Sequence, residues 1–277
     1  MHRWVALVLA LVAVSVAGCG GSGDDPPEPD SPLPKFTTVA QLTRATFEQR
    51  KADGTAQFHI SGVSSGTSAQ SMTGDGALKF VGDNIAMRVG QQLQELNKPP
   101  GPLFTLVIVP DGAFLKLPDS ASGMLPPGKS WFRIQDNTTS PAMQQFSQAV
   151  QTLRQNADPT QGFNQLGNAV SITESSQEAL DNVWTVRYKI SLDLAKAAQL
   201  TTDFDIKDTL DYLVQAGART EDTTLWLDAR NRLLRMVLVR NLPTDNGVTT
   251  YTLTTRYRDW GEPVDISAPP AEQVVSN

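Results

Sequence analysis

From Phe58 to Arg258 apolar and polar residues repeatedly alternate with a period of two, and this pattern restricts the fold more than any other feature of the chain. Phe58 and Ile60 alternate with Gln57, His59 and Ser61; Leu78 and Phe80 flank Lys79; Ile85, Met87 and Val89 alternate with Ala86 and Arg88. Further on, Trp184, Val186, Tyr188, Ile190 and Leu192 share one face, and Thr185, Arg187, Lys189 and Ser191 share the other. Successive side chains of a strand point to opposite faces, so each run predicts a strand with one wet face. Leu103–Val109 is apolar on both faces and predicts a strand covered on both sides. Turn residues separate the runs: Gly82-Asp83-Asn84, Pro110-Asp111-Gly112, Pro126-Pro127-Gly128 and Asp228–Asn231. Ala113–Leu117, Ser130–Ile134, Val170–Thr173, Thr223–Asp228, Leu233–Arg240 and Val248–Arg258 complete about ten or eleven strands.

Helical periodicity is confined to a few segments. Thr38 can cap a helix over about 38–52, with Gln41 as its capping-box partner, Val39, Leu42, Thr46 and Phe47 on one face and Gly54 as the stop. Ser140-Pro141 and Asp158-Pro159 each read as a helix start. Leu194–Leu200 and Lys207–Ala216 follow, the latter ending at Gly217. Neighbouring strands joined by short turns, with helices in clusters, predict an α+β fold with antiparallel pairing. A single sheet of this many strands must curl. Helices on its inner side then make a half-barrel with an apolar cavity wherever they leave space.

The N-terminus adds a different constraint. His2 and Arg3 precede an unbroken apolar run, Trp4–Val14, followed by small residues up to Gly18, which is the plan of a secretory signal. The run is too short to span a bilayer, which needs about 20 residues. It closes on Val16-Ala17-Gly18-Cys19, a lipobox-like ending whose cysteine is the only one in the chain. A lone cysteine in an exported protein cannot form an internal disulfide. As a thioether anchor it needs no partner, and each buried acyl methylene contributes about 0.8 kcal/mol to membrane binding. The expectation is therefore a signal over 1–18, lipidation at Cys19, and anchorage to the outer face of the cell membrane. Residues 19–35, rich in Gly, Pro and acidic residues, predict a disordered tether ahead of a domain over 36–268 and a tail over 269–277. Arg3 is the only charged residue in 1–18, so the mature chain is more acidic than the whole, whose net charge is −6. That balance argues against nucleic acid or an anionic bilayer surface as the main partner.

Little in the chain points to catalysis. Gly62-Val63-Ser64-Ser65-Gly66 fits the nucleophile-elbow pattern, which requires a strand–elbow–helix context and a histidine later in the chain. The mature chain has one histidine, His59, and it precedes the serine. One histidine and one cysteine cannot assemble a zinc set. Asp203, Asp205 and Asp208 lack the central glycine and closing glutamate of a calcium loop. No catalytic residue, metal or cofactor is therefore assigned, and the chain reads as a binder.

Several phrases, taken together, carry a resemblance. These are the lipobox at Cys19, Gly128-Lys129-Ser130-Trp131, the hairpin Leu225–Leu233 containing Trp226-Leu227-Asp228, and the ending Tyr257-Arg258-Asp259-Trp260-Gly261-Glu262-Pro263-Val264. In order and phrasing, residues 36–268 resemble the actinobacterial LppX/LprG-type lipoproteins, which share a fold with the LolA/LolB lipoprotein carriers. The resemblance implies a curved antiparallel half-barrel wrapped on helices, holding acyl chains of a lipid or glycolipid and carrying them within the envelope, with an envelope transporter as a possible partner. A non-catalytic interaction or stress-sensing module of the same fold is the alternative. Gln91–Pro102, polar and proline-containing, departs from the pattern as a lid or rim loop. The cavity-lining candidates are the larger residues on alternating strand faces: Phe58, Ile60, Leu78, Phe80, Met87, Leu106, Ile108 and Phe114.

Overall fold

The computed structural model describes residues 31–65, 70–81, 84–95, 98–135, 166–202, 204–244 and 247–275, together with Ser147, Val150 and Phe163. The signal, Cys19, most of the tether, the Gly82-Asp83 part of one turn and most of the two helices expected after Ser140 and Asp158 lie outside these residues.

The first element shows how local sequence starts and stops a helix. Helix α1 spans Val39–Asp53; Thr38 is extended (φ −126°, ψ 149°) and its side chain accepts a hydrogen bond from the Gln41 amide. The Gln41 side chain reaches back to accept from the Thr37 amide at 3.3 Å, one residue earlier than a standard capping box. Gly54 ends the helix at φ 77°, a left-handed conformation that costs glycine little. The buried face of α1 is Leu42, Thr43, Thr46 and Arg50, whereas Phe47 is largely exposed.

Among the described residues a single open sheet contains twelve strands. These are β1 Thr55–Ser64, β2 Gln70–Val81, β3 Asn84–Glu95, β4 Phe104–Val109, β5 Gly112–Lys116, β6 Trp131–Ile134, β7 Val170–Leu180, β8 Val183–Asp193, β9 Thr220–Asp228, β10 Leu233–Thr244, β11 Gly247–Arg258 and β12 Val274–Val275. Helices α2 (Leu194–Leu200) and α3 (Phe204–Gln215) join β8 to β9. The order across the sheet is β12-β6-β5-β4-β3-β2-β1-β11-β10-β9-β8-β7. Two meanders, β1–β6 and β7–β11, are therefore joined side by side through the long-range antiparallel pair β1/β11.

Eleven strands correspond to the alternating runs. The twelfth lies in the expected tail: Val274 and Val275 pair in parallel with Trp131 and Phe132. Strand β7 is also longer than the Val170–Thr173 expected. Its residues Glu174–Glu178 are not apolar in alternation, because β7 is an edge strand held by charged side chains on β8. Asp181 and Asn182, both at positive φ, close the tight β7–β8 turn. The tether's last residues also join the domain: the Leu33 amide donates to Gln177, and Phe36 stacks on Tyr188 and donates its amide to the tyrosine oxygen.

The sheet has a core face and an outer face. On the core face lie two large apolar clusters, one centred on Leu78, Met87 and Ile108 with Val150, the other on Leu42, Tyr188, Leu225 and Leu227. Tyr257 and Trp260 touch both. Glycine shapes this face at two positions. A Cβ on Gly76 would lie 2.3 Å from the Phe58 ring and 2.6 Å from the Arg88 carbonyl oxygen, and one on Gly74 would lie 2.5 Å from the Gly90 oxygen. Their missing side chains let β1 and β3 close toward each other over β2, bending the sheet toward its core face. On the outer face, Val107 and Phe114 are covered by Val274 and Ile266. The doubly apolar β4 is thus buried on both sides, as its sequence requires.

Candidate functional site

The antiparallel register arranges the core face in cross-strand rows. One row runs Ala56, Leu78, Met87, Ile108, Ala113, Ile134, and all six are buried. The next runs Tyr257, Phe58, Gly76, Val89, Leu106, Leu115, Phe132. A third crosses eight strands: Tyr188, Leu225, Met236, Thr255, Ile60, Gly74, Gln91, Phe104. A fourth runs Leu238, Leu253, Gly62, Met72, Leu93. Beyond it lie Arg240, Tyr251, Ser64 and Gln70.

Exposure rises along this series at some positions only, since Met72 in the fourth row and Ser64 beyond it stay buried. Ile108 and Leu78 are 1% and 2% exposed, Ile60, Met236, Leu238 and Leu253 are half-buried, and Leu93 is 41% exposed. The core face is therefore closed at the end where α1 meets Trp260 and more exposed toward the far ends of β3 and β11, while Leu242 at the end of β10 packs against α2 and α3.

The closed end is held by polar groups as well as apolar ones. The Arg50 guanidinium lies over the Phe80 ring at 4.6 Å from its centroid. Asp53, at the end of α1, receives two hydrogen bonds from Arg232 in the β9–β10 turn, at 2.7 and 2.9 Å. Burial alone would raise the Asp53 carboxyl; the hydrogen bonds from Arg232 and Gln49 and the Arg232 charge outweigh it and hold the group below the usual carboxylate range. The Trp260 indole donates to the Leu233 carbonyl oxygen at 3.1 Å.

The open end has a polar rim. Arg240 pairs with Glu221 across β10 and β9. Burial raises the Tyr251 hydroxyl, an effect that Arg240 partly offsets. The segment after β3 folds back on it: the Gly101 amide donates to the Leu93 carbonyl oxygen at 2.7 Å and Gln92 donates to Gly101 at 3.2 Å. Of the expected rim loop, Gln91–Glu95 are instead the end of strand β3, and residues 98–102 lie against that end, with Leu103 half-exposed beside them.

The sequence candidates divide accordingly. Phe58, Leu78, Met87 and Ile108 face the core and are buried; Ile60, Phe80 and Leu106 share that face and are half-buried. Phe114 does not join them. Its register partners are Val107 and Arg133, on the outer face, and the Arg133 guanidinium sits 6.0 Å from its ring centroid. Phe114 and Leu115 are both buried, so period two alone cannot say which faces inward. Met236, Leu238, Leu253 and Leu93, which dominate the open end, were not among the candidates. Their alternation is present in β10 and β11, but their proximity to Ile60 depends on the β1/β11 pairing, which joins residues nearly 200 positions apart.

Other candidates are dispersed. Ser64 is 1% exposed on the core face at the end of a strand, whereas His59 bonds Asp75 at 3.0 Å on the outer face. Asp203 and Cys19 lie outside the described residues. A shallow open cleft of about 380 Å³ lies between Thr37–Ala40 and Gly167–Ile172. Short polar side chains (Thr37, Thr38, Asn168, Ser171) make up much of its lining, unlike an acyl-chain site. An enclosed apolar cavity is not defined by the described residues.

No family model matches the chain, and no curated protein matches it. Among solved structures it is similar to LprF from Mycobacterium bovis, with 14% identity over 84% of this chain and 99% of that one and a TM-score of 0.44. It is also similar to a chain of the MucA/MucB complex of Pseudomonas aeruginosa, with 12% identity over 84% of this chain and 60% of that one and a TM-score of 0.34. Likenesses this distant say nothing about what this chain binds.

Proposed function

We propose that this protein is an exported, membrane-anchored lipoprotein that holds the acyl chains of a lipid or glycolipid on the open part of its core face and carries them within the cell envelope. One observation carries the reading: apolar side chains continue along the core face past the packed core, through Ile60, Met236, Leu238 and Leu253 to the exposed Leu93, with only Thr255, Gln91 and glycines between them and the buried Met72. Apolar surface left exposed at the mouth of a core is stabilised by covering it, at about 25 cal/mol per Å². Among the described residues the charges around it are paired, Arg240 with Glu221 and Lys98 with Glu95, which suits chains more than headgroups. The lipobox at Cys19 supports membrane attachment, and no described helix is long and apolar enough to cross a membrane. On this reading the protein works without catalytic residues or cofactor, and a transporter of the envelope loads or receives the cargo.

Native mass spectrometry of residues 20–277, expressed in an actinobacterial host, tests the proposal. Co-purifying lipid, or stoichiometric uptake of a long-chain phospholipid after delipidation, is expected. A lipid-free mass that stays unchanged on addition of lipid would instead favour an interaction module whose core face is filled by protein.

A further inference from the structure

The outer face carries a concentration of positive charge that the proposed cargo site does not use. Arg235 on β10 lies directly opposite Arg256 on β11, and Arg256 lies opposite His59 on β1. Arg258 is two residues further along the same face, and the row it begins continues through Gln57 and Ala77 to Arg88. At about 4.8 Å per strand, these cations occupy a band only about 20 Å wide. Arg88, Arg256 and Arg258 are exposed. Among the described residues the nearby acids are Asp75, bonded to His59, Asp259, 3.3 Å from Arg258, and Glu178, bonded to the Trp226 indole. Farther along, toward β7, Glu174 and Glu178 neutralise Arg187 and Lys189.

Two features mark the band as unfinished. Like charges directly opposite each other on a sheet are destabilising, yet Arg235 and Arg256 are so placed in a chain of net charge −6. The Arg235 guanidinium lies 4.9 Å from the Trp226 ring centroid, and its Nε is buried with no hydrogen-bond partner. Trp226 is half-buried and held by a 2.7 Å bond from its indole to Glu178. A tryptophan beside arginines is a combination suited to a bilayer interface.

We infer that this outer face is a docking surface for an anionic lipid bilayer, with Arg235, Arg256, Arg258 and Arg88 against the phosphates. The inference rests on the reading of the protein as membrane-tethered. An extended path from Cys19 to Leu33 reaches about 43 Å at 3.1 Å per residue. Leu33 is fixed at β7, only five strands from β1, or about 24 Å. The tether is therefore long enough to let the face lie on the membrane that holds the anchor. Docked this way, the core face and its open end point away from that membrane, toward a recipient.

The test uses residues 20–277, which lack the anchor, with vesicles of phosphatidylcholine alone or with about one-third phosphatidylglycerol. Sedimentation with the phosphatidylglycerol vesicles only, lost at high salt, is expected. A cation at an anionic surface is worth roughly fivefold in binding. R235Q/R256Q is thus expected to bind about 25-fold more weakly while staying folded, since the loss of the Arg235–Trp226 contact and the relief of the repulsion oppose each other in its stability. Asp75→Asn, which removes an acid from the band, is expected to bind more tightly. Equal binding to both vesicle types, no binding, an unaffected double variant, or binding to soluble polyglutamate without binding to vesicles would overturn the inference. Lipid occupancy by native mass spectrometry is a separate readout, so failure of docking and failure of cargo binding are distinguishable.

Discussion

Leu238 and Leu253 face each other on the core face, both half-buried. If an acyl chain covers them, each gains the burial it lacks in the free protein. Full burial of a leucine is worth about 1.5–3 kcal/mol, and each is already mostly covered, so the remaining exposed part of each corresponds to about 0.5 kcal/mol. Replacing both by glutamine removes about 1 kcal/mol of ligand binding, roughly fivefold in Kd. The desolvation of two amides without partners adds to that loss. The free protein, in which these positions are mostly covered, is expected to lose about 2–4 kcal/mol of stability and to remain folded. Displacement of a fluorescent fatty-acid probe gives the affinity and urea unfolding gives the stability. Unchanged probe affinity in L238Q/L253Q would refute the reasoning.

The other expectations concern the closed end, the bend and the anchor. Ile108→Ala, at a site 1% exposed, is expected to cost about 2–5 kcal/mol in urea unfolding, with no specific effect on ligand. Gly76→Ala places a methyl within 2.3 Å of the Phe58 ring and is expected to cost about 1–3 kcal/mol. Arg232→Ala leaves Asp53, whose side chain is 6% exposed, without its partner; a loss of about 2–3 kcal/mol and a melting point roughly 4–10 °C lower are expected in calorimetry. Because folding depresses the Asp53 pKa, its stabilisation is present above the ordinary carboxylate value of about 4 and is lost as the pH falls through the lower folded value. Asp53→Asn is expected to flatten that part of the acid limb. Cys19→Ala is expected to abolish lipid modification, seen as a changed mass and release from the membrane fraction or retention of the signal.

The strands were legible because period-two alternation is a local signal. Phe58/Ile60, Ile85/Met87/Val89 and Trp184–Leu192 each declare a strand without reference to the rest of the chain. So do the ends of α1 and α3: Thr38 and Gly54 bound the first, and Gly217, with amides 217 and 218 bonded to Val214 and Leu213, closes the second. Strand β7 was shortened in the sequence reading because an edge strand with charged residues has no apolar alternation. Val274–Val275 escaped notice because two residues carry no period. Strand order was less legible than strand existence. The β1/β11 pair brings Ile60 beside Thr255 and Met236, and no local feature specifies it. Phe114 shows the same limit from another side: β4 and β5 are apolar on both faces, so only the register reveals that Phe114 packs outward against Val107 and Val274.

The account's central claim concerns one place on the protein. A fatty acid bearing a photoreactive diazirine at the end of its chain, incubated with residues 20–277 and irradiated, reports by peptide mass spectrometry where the chain lies. Cross-links on the peptides carrying Ile60, Leu93, Leu238 and Leu253, reduced by excess unlabelled lipid and by L238Q/L253Q, are the predicted result. Cross-links confined to outer-face residues such as Trp226 or Phe114, or labelling that unlabelled lipid does not reduce, would contradict it.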